Sequence, residues 1–142
     1  MDYHTAFHIS ASGMAIEKLR VEVTAANLAN MHRTSATPEG LYRPMRVIAH
    51  TPSPDFTRRF GELTAAGGVQ HVSLEPLAVA PRLVHEPGHP HADSKGHVAY
   101  PGIDHATEMV NLAMALRAYE ANVVAMNAAR TMTARTLDIG GQ

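Results

Sequence analysis

Both ends of this chain carry a long helical pattern with apolar residues on two separate faces, which limits what the chain can fold into. Near the N-terminus two apolar series recur every seven positions, and near the C-terminus one series alternates steps of three and four. The N-terminal series comprise Phe7, Met14, Val21 and Leu28, and Ile9, Ile16 and Val23 with Leu19 and Ala26 beside them. The main C-terminal series comprises Met109, Leu112, Leu116, Tyr119, Val123 and Met126, accompanied by a smaller stripe of Val110, Ala113, Ala121, Val124 and Ala128.

A helix with two apolar faces needs more than one neighbouring element to bury both of them. Successive helical residues rotate by about 100°, so series offset by two residues lie about 160° apart around the axis. One chain with two such helices cannot easily cover all of this surface itself, which predicts packing between subunits. Helices buried between the layers of a monomer are an equally open interpretation of the periodicity alone.

Length and composition suggest one small domain with two helical extensions. The chain has 142 residues, its aromatic content is 5% and it has no Trp, which favours packed helices over a large globular core. We expect an α+β fold in which the long N- and C-terminal helices pair as a coiled coil. The expected divisions are 1–34 for the first helix and its turn, 35–103 for a small β-rich middle with long loops, and 104–142 for the last helix.

Local signals set the expected elements. The first helix is predicted over about 3–31, with Asp2 as its N-cap and its end near Asn30, and the last from an Asp104 cap to about Leu137, ahead of Gly140 and Gly141. Between them, the turn formers of 86–96 predict a reverse turn and those of 31–41 and 51–68 predict loops. Strand-like runs are 42–50 after Pro44, 69–74, 77–85 with Pro81 at an edge or bulge, and 97–100.

Charge and hydropathy exclude several classes of function. The net charge of −1 gives no general attraction to nucleic acid, and no run approaches the roughly 18 apolar residues of a membrane span. Cysteine is absent, so disulfides and thiolate chemistry do not arise. The start of the sequence lacks a basic region followed by an apolar one, which predicts either a cytoplasmic protein or export without a cleaved signal peptide.

No catalytic motif is present, and we expect no enzymatic activity, metal or cofactor. The nearest thing to a metal-binding pattern is a group of histidines near Asp93, namely His85, His89, His91 and His97. Their spacing matches no established ligand pattern, although a His-rich metal-binding periplasmic module stays open as an alternative. The helix carboxylates are expected to form solvated or inter-subunit ion pairs, and they are Glu17, Glu22, Glu108 and Glu120.

Two segments resemble the signatures of flagellar axial proteins. Near the end of the first helix stand Ala26, Asn27 and Asn30, with Thr34 following and Arg33 in the usual position of that Thr. Within the last helix, Tyr119, Glu120, Ala121 and Asn122 resemble the C-terminal signature of the same family. The segments between them resemble the proximal-rod branch, and another short rod protein is the alternative within the family.

This resemblance implies a mechanical function. Axial proteins pair their terminal helices as a coiled coil and stack them into the inner tube of a helical assembly, with the small β middle outside. The implied partners are further copies, other rod proteins and the flagellar type III export apparatus, with MS-ring or export-gate adaptor proteins as further candidates. The implied location is the rod that crosses the periplasm and carries torque from the motor to the hook.

The two signature asparagines suggest a physical role. Asparagine tolerates the left-handed conformation, and its amide can bond carbonyls left unpaired at a helix end. We therefore expect Asn27 and Asn30 to end the first helix and to hold the turn toward the middle of the chain.

Overall fold

The computed structural model of the protein describes residues 3–50 and 71–140, and within them the fold is α+β. Helix α1 spans Tyr3–Asn30 and helix α2 spans His105–Gly140. The strands between them in sequence are β1 (Met45–His50), β2 (His71–Pro76), β3 (Arg82–His85) and β4 (His97–Tyr100). In this part of the chain β1 pairs with β2 and β3 with β4, giving two small sheets. The predicted fold class is thus confirmed.

Helix α1 ends at Asn30, as predicted. Beyond Asn30 the backbone tightens, because the N–H of Met31 donates to the carbonyl of Leu28 at 3.3 Å and that of Arg33 to Asn30 at 3.0 Å. Such three-residue steps are a common way to end an α-helix. The predicted cap Asp2 lies outside the described residues.

Helix α2 continues three residues beyond the predicted end at Leu137. No proline or glycine stands between Leu137 and Gly140, so nothing in the local sequence stops the helix earlier. Its start is as predicted: Oδ2 of Asp104 accepts the backbone N–H of Thr107 at 2.9 Å and also the Thr107 hydroxyl. A carboxylate at this position pairs a free N–H of the first turn and faces the positive end of the helix dipole.

Replacing Asp104 should make the first turn of α2 less stable, and the stability that remains should depend less on pH. The Thr107 hydroxyl, helped by the Thr107 N–H, holds the pKa of Asp104 below its ordinary 3.8. A carboxyl whose pKa is lowered on folding contributes stability above its unfolded value, and this is lost as the pH falls through the folded value. We expect Asp104→Ala to lower the helix-unfolding midpoint at pH 7 and to flatten its fall below pH 3.8. Circular dichroism across pH 2–7 measures both, and Asp104→Asn, which can still cap, should lose only the acid dependence.

Strands β3 and β4 form an antiparallel hairpin around the 86–96 turn. Leu83 pairs with Ala99, Val84 with Val98, and His85 with His97. Val98 is fully buried. The turn closes at Gly96, whose φ of 77° is in the left-handed region that glycine adopts without strain. The predicted reverse turn leading into a strand at 97–100 is confirmed.

The prediction of a strand over 77–85 is wrong at its start, because β3 begins only at Arg82. Three features divert the preceding backbone. The N–H of Leu77 donates to the carbonyl of Pro44 at 2.7 Å, and the N–H of Val79 turns back to the carbonyl of Leu77 at 2.9 Å. Pro81 has no N–H to offer a sheet. The predicted strand 69–74 is found as β2, which continues to Pro76. The predicted loop 51–68 and residues 69 and 70 lie outside the described residues.

The chain divides into two compact units. One comprises 20–47 and 74–113, and its buried residues include Leu41, Val98 and the polar Thr24, Asn27 and Glu108. The other comprises 1–19, 48–73 and 114–142, and its buried residues among those described include Ser10, Ile16, Ala115 and Ala129. The helical positions buried in each unit are therefore mostly small or polar.

Candidate functional site

The side chain of Asn27 joins α1, β1 and the first turn of α2. It is 2% exposed. Its Nδ2 donates to the carbonyl oxygen of Met45 at 2.9 Å and to Oε2 of Glu108 at 3.3 Å. Its Oδ1 accepts the backbone N–H of Met45 at 3.0 Å and the hydroxyl of Tyr42 at 2.9 Å. These bonds use the whole capacity of a primary amide, which has two donors and two acceptor lone pairs. We call Asn27, Tyr42, Met45 and Glu108 the Asn27 junction.

The charges of the junction support its hydrogen bonds. Glu108 is 8% exposed, and its second oxygen accepts Nδ2 of Asn111 at 3.4 Å. It lies in the first turn of α2, where the helix dipole favours a negative charge. Burial raises the pKa of the Tyr42 hydroxyl, and the charge of Glu108 raises it further. Tyr42 therefore keeps its proton at neutral pH and remains a donor to Asn27.

Two expectations about these residues are wrong. No described residue other than glycine has a positive φ, so Asn27 does not end α1 in the left-handed conformation. It lies inside the helix, and its amide binds the backbone of Met45 instead of free carbonyls of α1. The expectation that Asn27 holds the chain toward its middle segment is confirmed, because Met45 is the first residue of β1. Glu108 is also not a solvated ion-pair partner, since it is buried against Asn27. The Asn27 amide and the Glu108 carboxylate each bind a partner that is distant in sequence, and no local sequence pattern indicates such a partner.

The other members of the N-terminal signature lie near the end of α1. Nδ2 of Asn30 donates to the carbonyl of Ala26, one turn earlier in α1, at 2.7 Å. Oγ1 of Thr34 lies 2.9 Å from Nδ1 of His91 in the 86–96 turn. Ala26 and Arg33 are exposed. The signature threonine thus connects the segment after α1 to the β3–β4 hairpin.

Within the C-terminal signature, Asn122 approaches α1 at Gly13. A methyl group added at Gly13 would lie 2.8 Å from Oδ1 of Asn122, closer than side-chain carbons normally approach oxygen. Nδ2 of Asn122 is held by the carbonyl of Ala118 at 3.0 Å. The remaining signature residues Tyr119, Glu120 and Ala121 are exposed. Gly13 therefore provides the space in which the signature asparagine sits.

A double-mutant cycle should detect this close approach. Alanine stabilises a helix interior by about 1 kcal/mol relative to glycine. We expect Gly13→Ala to realise that gain in an Asn122→Ala background and to lose it, or to be destabilising, when Asn122 is present. The coupling should be about 1 kcal/mol or more, as measured by urea unfolding. Equal effects of Gly13→Ala in both backgrounds would contradict the contact.

The predicted interface series differ in exposure. On α1, Ile16 is buried and Ile9 is 46% exposed. On α2, Met109 and Leu116 are each 46% exposed and Tyr119 is 38% exposed. The other members are half-buried, and they are Phe7, Met14, Leu19, Val21, Val23, Leu28, Leu112, Val123 and Met126. Helix α2 exposes additional large apolar residues, among them Val110, Met114, Val124, Met132 and Leu137.

The histidines near Asp93 are arranged as two pairs of rings. The rings of the cross-strand partners His85 and His97 are 5.3 Å apart, and those of His89 and His91 are 5.4 Å apart. The backbone N–H of His97 donates to Asp93 and is the main cause of the lowered pKa of that carboxyl. In residues 3–50 and 71–140, no three side chains of the metal-binding types are grouped to hold an ion. The alternative of a metal-binding module finds no support here.

Neither helix has the combination of length and apolar character needed to cross a bilayer, as far as the described ranges go.

Comparison with known proteins identifies the family. The family model described as flagellar basal body rod FlgEFG protein C-terminal matches residues 94–139. The flagellar basal-body rod protein FlgC of Salmonella typhimurium is 34% identical over 134 residues, covering 94% of this chain and 95% of that protein. FlgC of Bacillus subtilis is 34% identical over 148 residues, covering 96% and 99%. FlgC of Aquifex aeolicus is 29% identical over 143 residues, covering 97% of each. The chain therefore belongs to the FlgC family of flagellar basal-body rod proteins.

Proposed function

We propose that this chain is a structural subunit of the flagellar basal-body rod, and that it acts by assembling and not by catalysis. The observation that supports this beyond family membership is the large apolar surface along α2. Val110, Met114, Val124 and Leu137 are 57%, 64%, 67% and 71% exposed. Covering apolar surface with a neighbour removes it from water, which favours association. Rows of such side chains favour a subunit over a free monomer.

The terminal helices are proposed to pair as an antiparallel coiled coil. Two contacts support this, one in each unit: Gly13 adjoins Asn122, and Asn27 bonds Glu108. The number of residues from Gly13 forward to Asn27 equals the number from Asn122 back to Glu108, as antiparallel helices require. Apart from Ile16, the buried residues of the two helices are small or polar, and many of the larger apolar side chains of α2 are exposed and available to neighbouring subunits.

The family resemblance supplies the remaining roles in this proposal. Residues 1–34 and 104–142 would form the wall of the inner tube, and the middle segment 35–103 would lie outside it. The shortness of that middle segment favours the proximal part of the rod. There the subunit would carry torque across the periplasm, in contact with further copies and other rod proteins. Export through the type III apparatus as an unfolded chain fits helices that gain much of their stability from packing.

The test uses the bacterium that encodes the chain. After deletion of its gene, cells expressing an epitope-tagged copy should swim, and purified basal bodies should contain the tagged chain within the rod. Immunogold labelling and mass spectrometry of the basal bodies report its location directly. Swimming of the deletion strain without any copy, or basal bodies that lack the tagged chain, would refute the proposal.

A further inference from the structure

The ring of His89 closes one bend of the 86–96 turn by accepting a backbone hydrogen bond. The N–H of His91 donates to Nδ1 of His89 at 3.0 Å. A ring nitrogen that accepts an N–H must have its lone pair free, so Nδ1 of His89 carries no proton and the ring is neutral. The geometry is comparable to that of an Asx turn, in which a side-chain acceptor binds the N–H two residues later.

The residue held by this bond makes the contact with the segment after α1. Nδ1 of His91 lies 2.9 Å from Oγ1 of Thr34, and both side chains are half-buried. The rings of His89 and His91 also meet edge to face, with their centroids 5.4 Å apart. The His89 ring thus fixes both the backbone and the side chain of the residue that contacts Thr34.

The acidic groups near this contact already have donors other than His89. In residues 31–37 and 85–97 the acidic residues are Glu86 and Asp93. Glu86 accepts the hydroxyl of Tyr100 at 3.1 Å, and Oδ1 of Asp93 accepts two backbone N–H groups of the turn, each at 2.8 Å. The other titratable or charged groups of the two segments are basic, and they are His32, Arg33, His85, Lys95 and His97. A positive charge on His89 would therefore add to a mainly basic neighbourhood.

We infer that His89 is a pH-sensitive switch that controls the contact between the 86–96 turn and Thr34. A proton taken up from solvent at Nδ1 of His89 converts the acceptor into a donor and breaks the bond to the His91 N–H. The side chain of His91 then loses its support and separates from Thr34. The inference goes beyond the proposed function and does not depend on it.

His89 and not His91 is the trigger, because the two rings have different roles. A protonated His91 can still donate from Nδ1 to the Thr34 hydroxyl, whereas a protonated His89 cannot accept an N–H. Histidine changes its charge between pH 5 and 8. Since the folded turn binds the neutral His89 ring, the contact is stable at the upper end of this range and is lost as the pH falls.

Nuclear magnetic resonance of the purified full-length chain measures both steps. At pH 8 an Overhauser contact should join the Thr34 methyl group to the His91 ring, and at pH 5 it should be absent. The protection of the His91 amide from hydrogen exchange, corrected for the intrinsic effect of pH, should fall about fivefold or more, as expected for the loss of one hydrogen bond. A wild-type chain that keeps the Thr34 contact and the His91 protection at pH 5 would overturn the inference.

Three variants identify the trigger. His89→Asn places an oxygen the same number of bonds from the backbone as Nδ1 of histidine and does not titrate, so it should keep the Thr34 contact at both pH values. His89→Ala has no acceptor and should lack the contact at both. His97→Asn removes a histidine of the other ring pair and should respond to acid as the wild type does. An acid response that persists unchanged in His89→Asn, or a His89→Ala chain that keeps the contact at pH 8, would show that His89 is not the switch.

Discussion

Cells expressing Leu116→Asp should make the subunit but lack a completed rod, hook and swimming. Leu116 is 46% exposed in the isolated chain, so the substitution should change the free energy of unfolding of the monomer by less than about 1 kcal/mol. In an assembly that covers this side chain, an unpaired carboxylate would cost about 3 kcal/mol or more in each subunit. The defect should therefore appear in assembly and not in folding.

Two controls separate this effect from a general loss of fitness. Leu116→Met keeps an apolar side chain of similar volume and should assemble normally. Lys95→Asp adds negative charge at an exposed turn position and should cost less than about 0.5 kcal/mol. The measurements are swimming in soft agar, electron microscopy of purified basal bodies, and urea unfolding of the purified subunit. Normal rods built from Leu116→Asp protein would show that this face is not an assembly surface.

Local sequence signals were sufficient to predict the parts of this fold that are determined by residues close together in sequence. The Asp104 cap, the turn closed at Gly96 and both long helices follow from signals within a few residues of each feature. The early start assigned to β3 failed for a different reason. Pro81 already indicated an edge or bulge, but the backbone at Leu77 also bonds to Pro44, a contact between segments far apart in sequence that residues 77–81 alone do not reveal.

The buried side of the helices was harder to predict than their existence. Apolar periodicity indicates where a helix has faces, but it weights large residues and overlooks small and polar ones. A glycine such as Gly13 is expected to destabilise the interior of a helix, yet here its missing side chain leaves room for Asn122. Glu108 reads as a surface charge, yet it is buried because Asn27 supplies a donor from a distant segment. Where hydrogen bonding decides burial, hydropathy alone assigns the wrong face.

The Asn27 junction is where a single substitution should most destabilise the subunit itself. Asn27→Ala would remove four hydrogen bonds and leave the backbone of Met45, the Tyr42 hydroxyl and the Glu108 carboxylate without this partner. Stranding buried polar groups of this kind costs about 1–3 kcal/mol each. Relaxation and water entry will recover part of the sum, so we expect a loss of about 3 kcal/mol in the free energy of unfolding, measured in urea at pH 7.

Asn27→Asp tests the same junction with a side chain of nearly identical shape. Its carboxylate can still accept from Met45 and Tyr42, but it cannot donate, and it would face the Glu108 carboxylate where Nδ2 of Asn27 now lies at 3.3 Å. Two carboxylates in contact favour sharing one proton, which raises the folded-state pKa of the pair above the unfolded values of about 4. A group whose pKa is raised by folding is stabilising when protonated, so the variant should regain stability as the pH falls from 7 toward 5. Asn27→Ala removes the donor to Glu108 but adds no second carboxyl beside it, so its recovery in acid should be clearly smaller than that of Asn27→Asp. Equal pH profiles for the two variants would mean that Asn27 and Glu108 are not in contact, which would contradict the hydrogen bonding of the Asn27 junction.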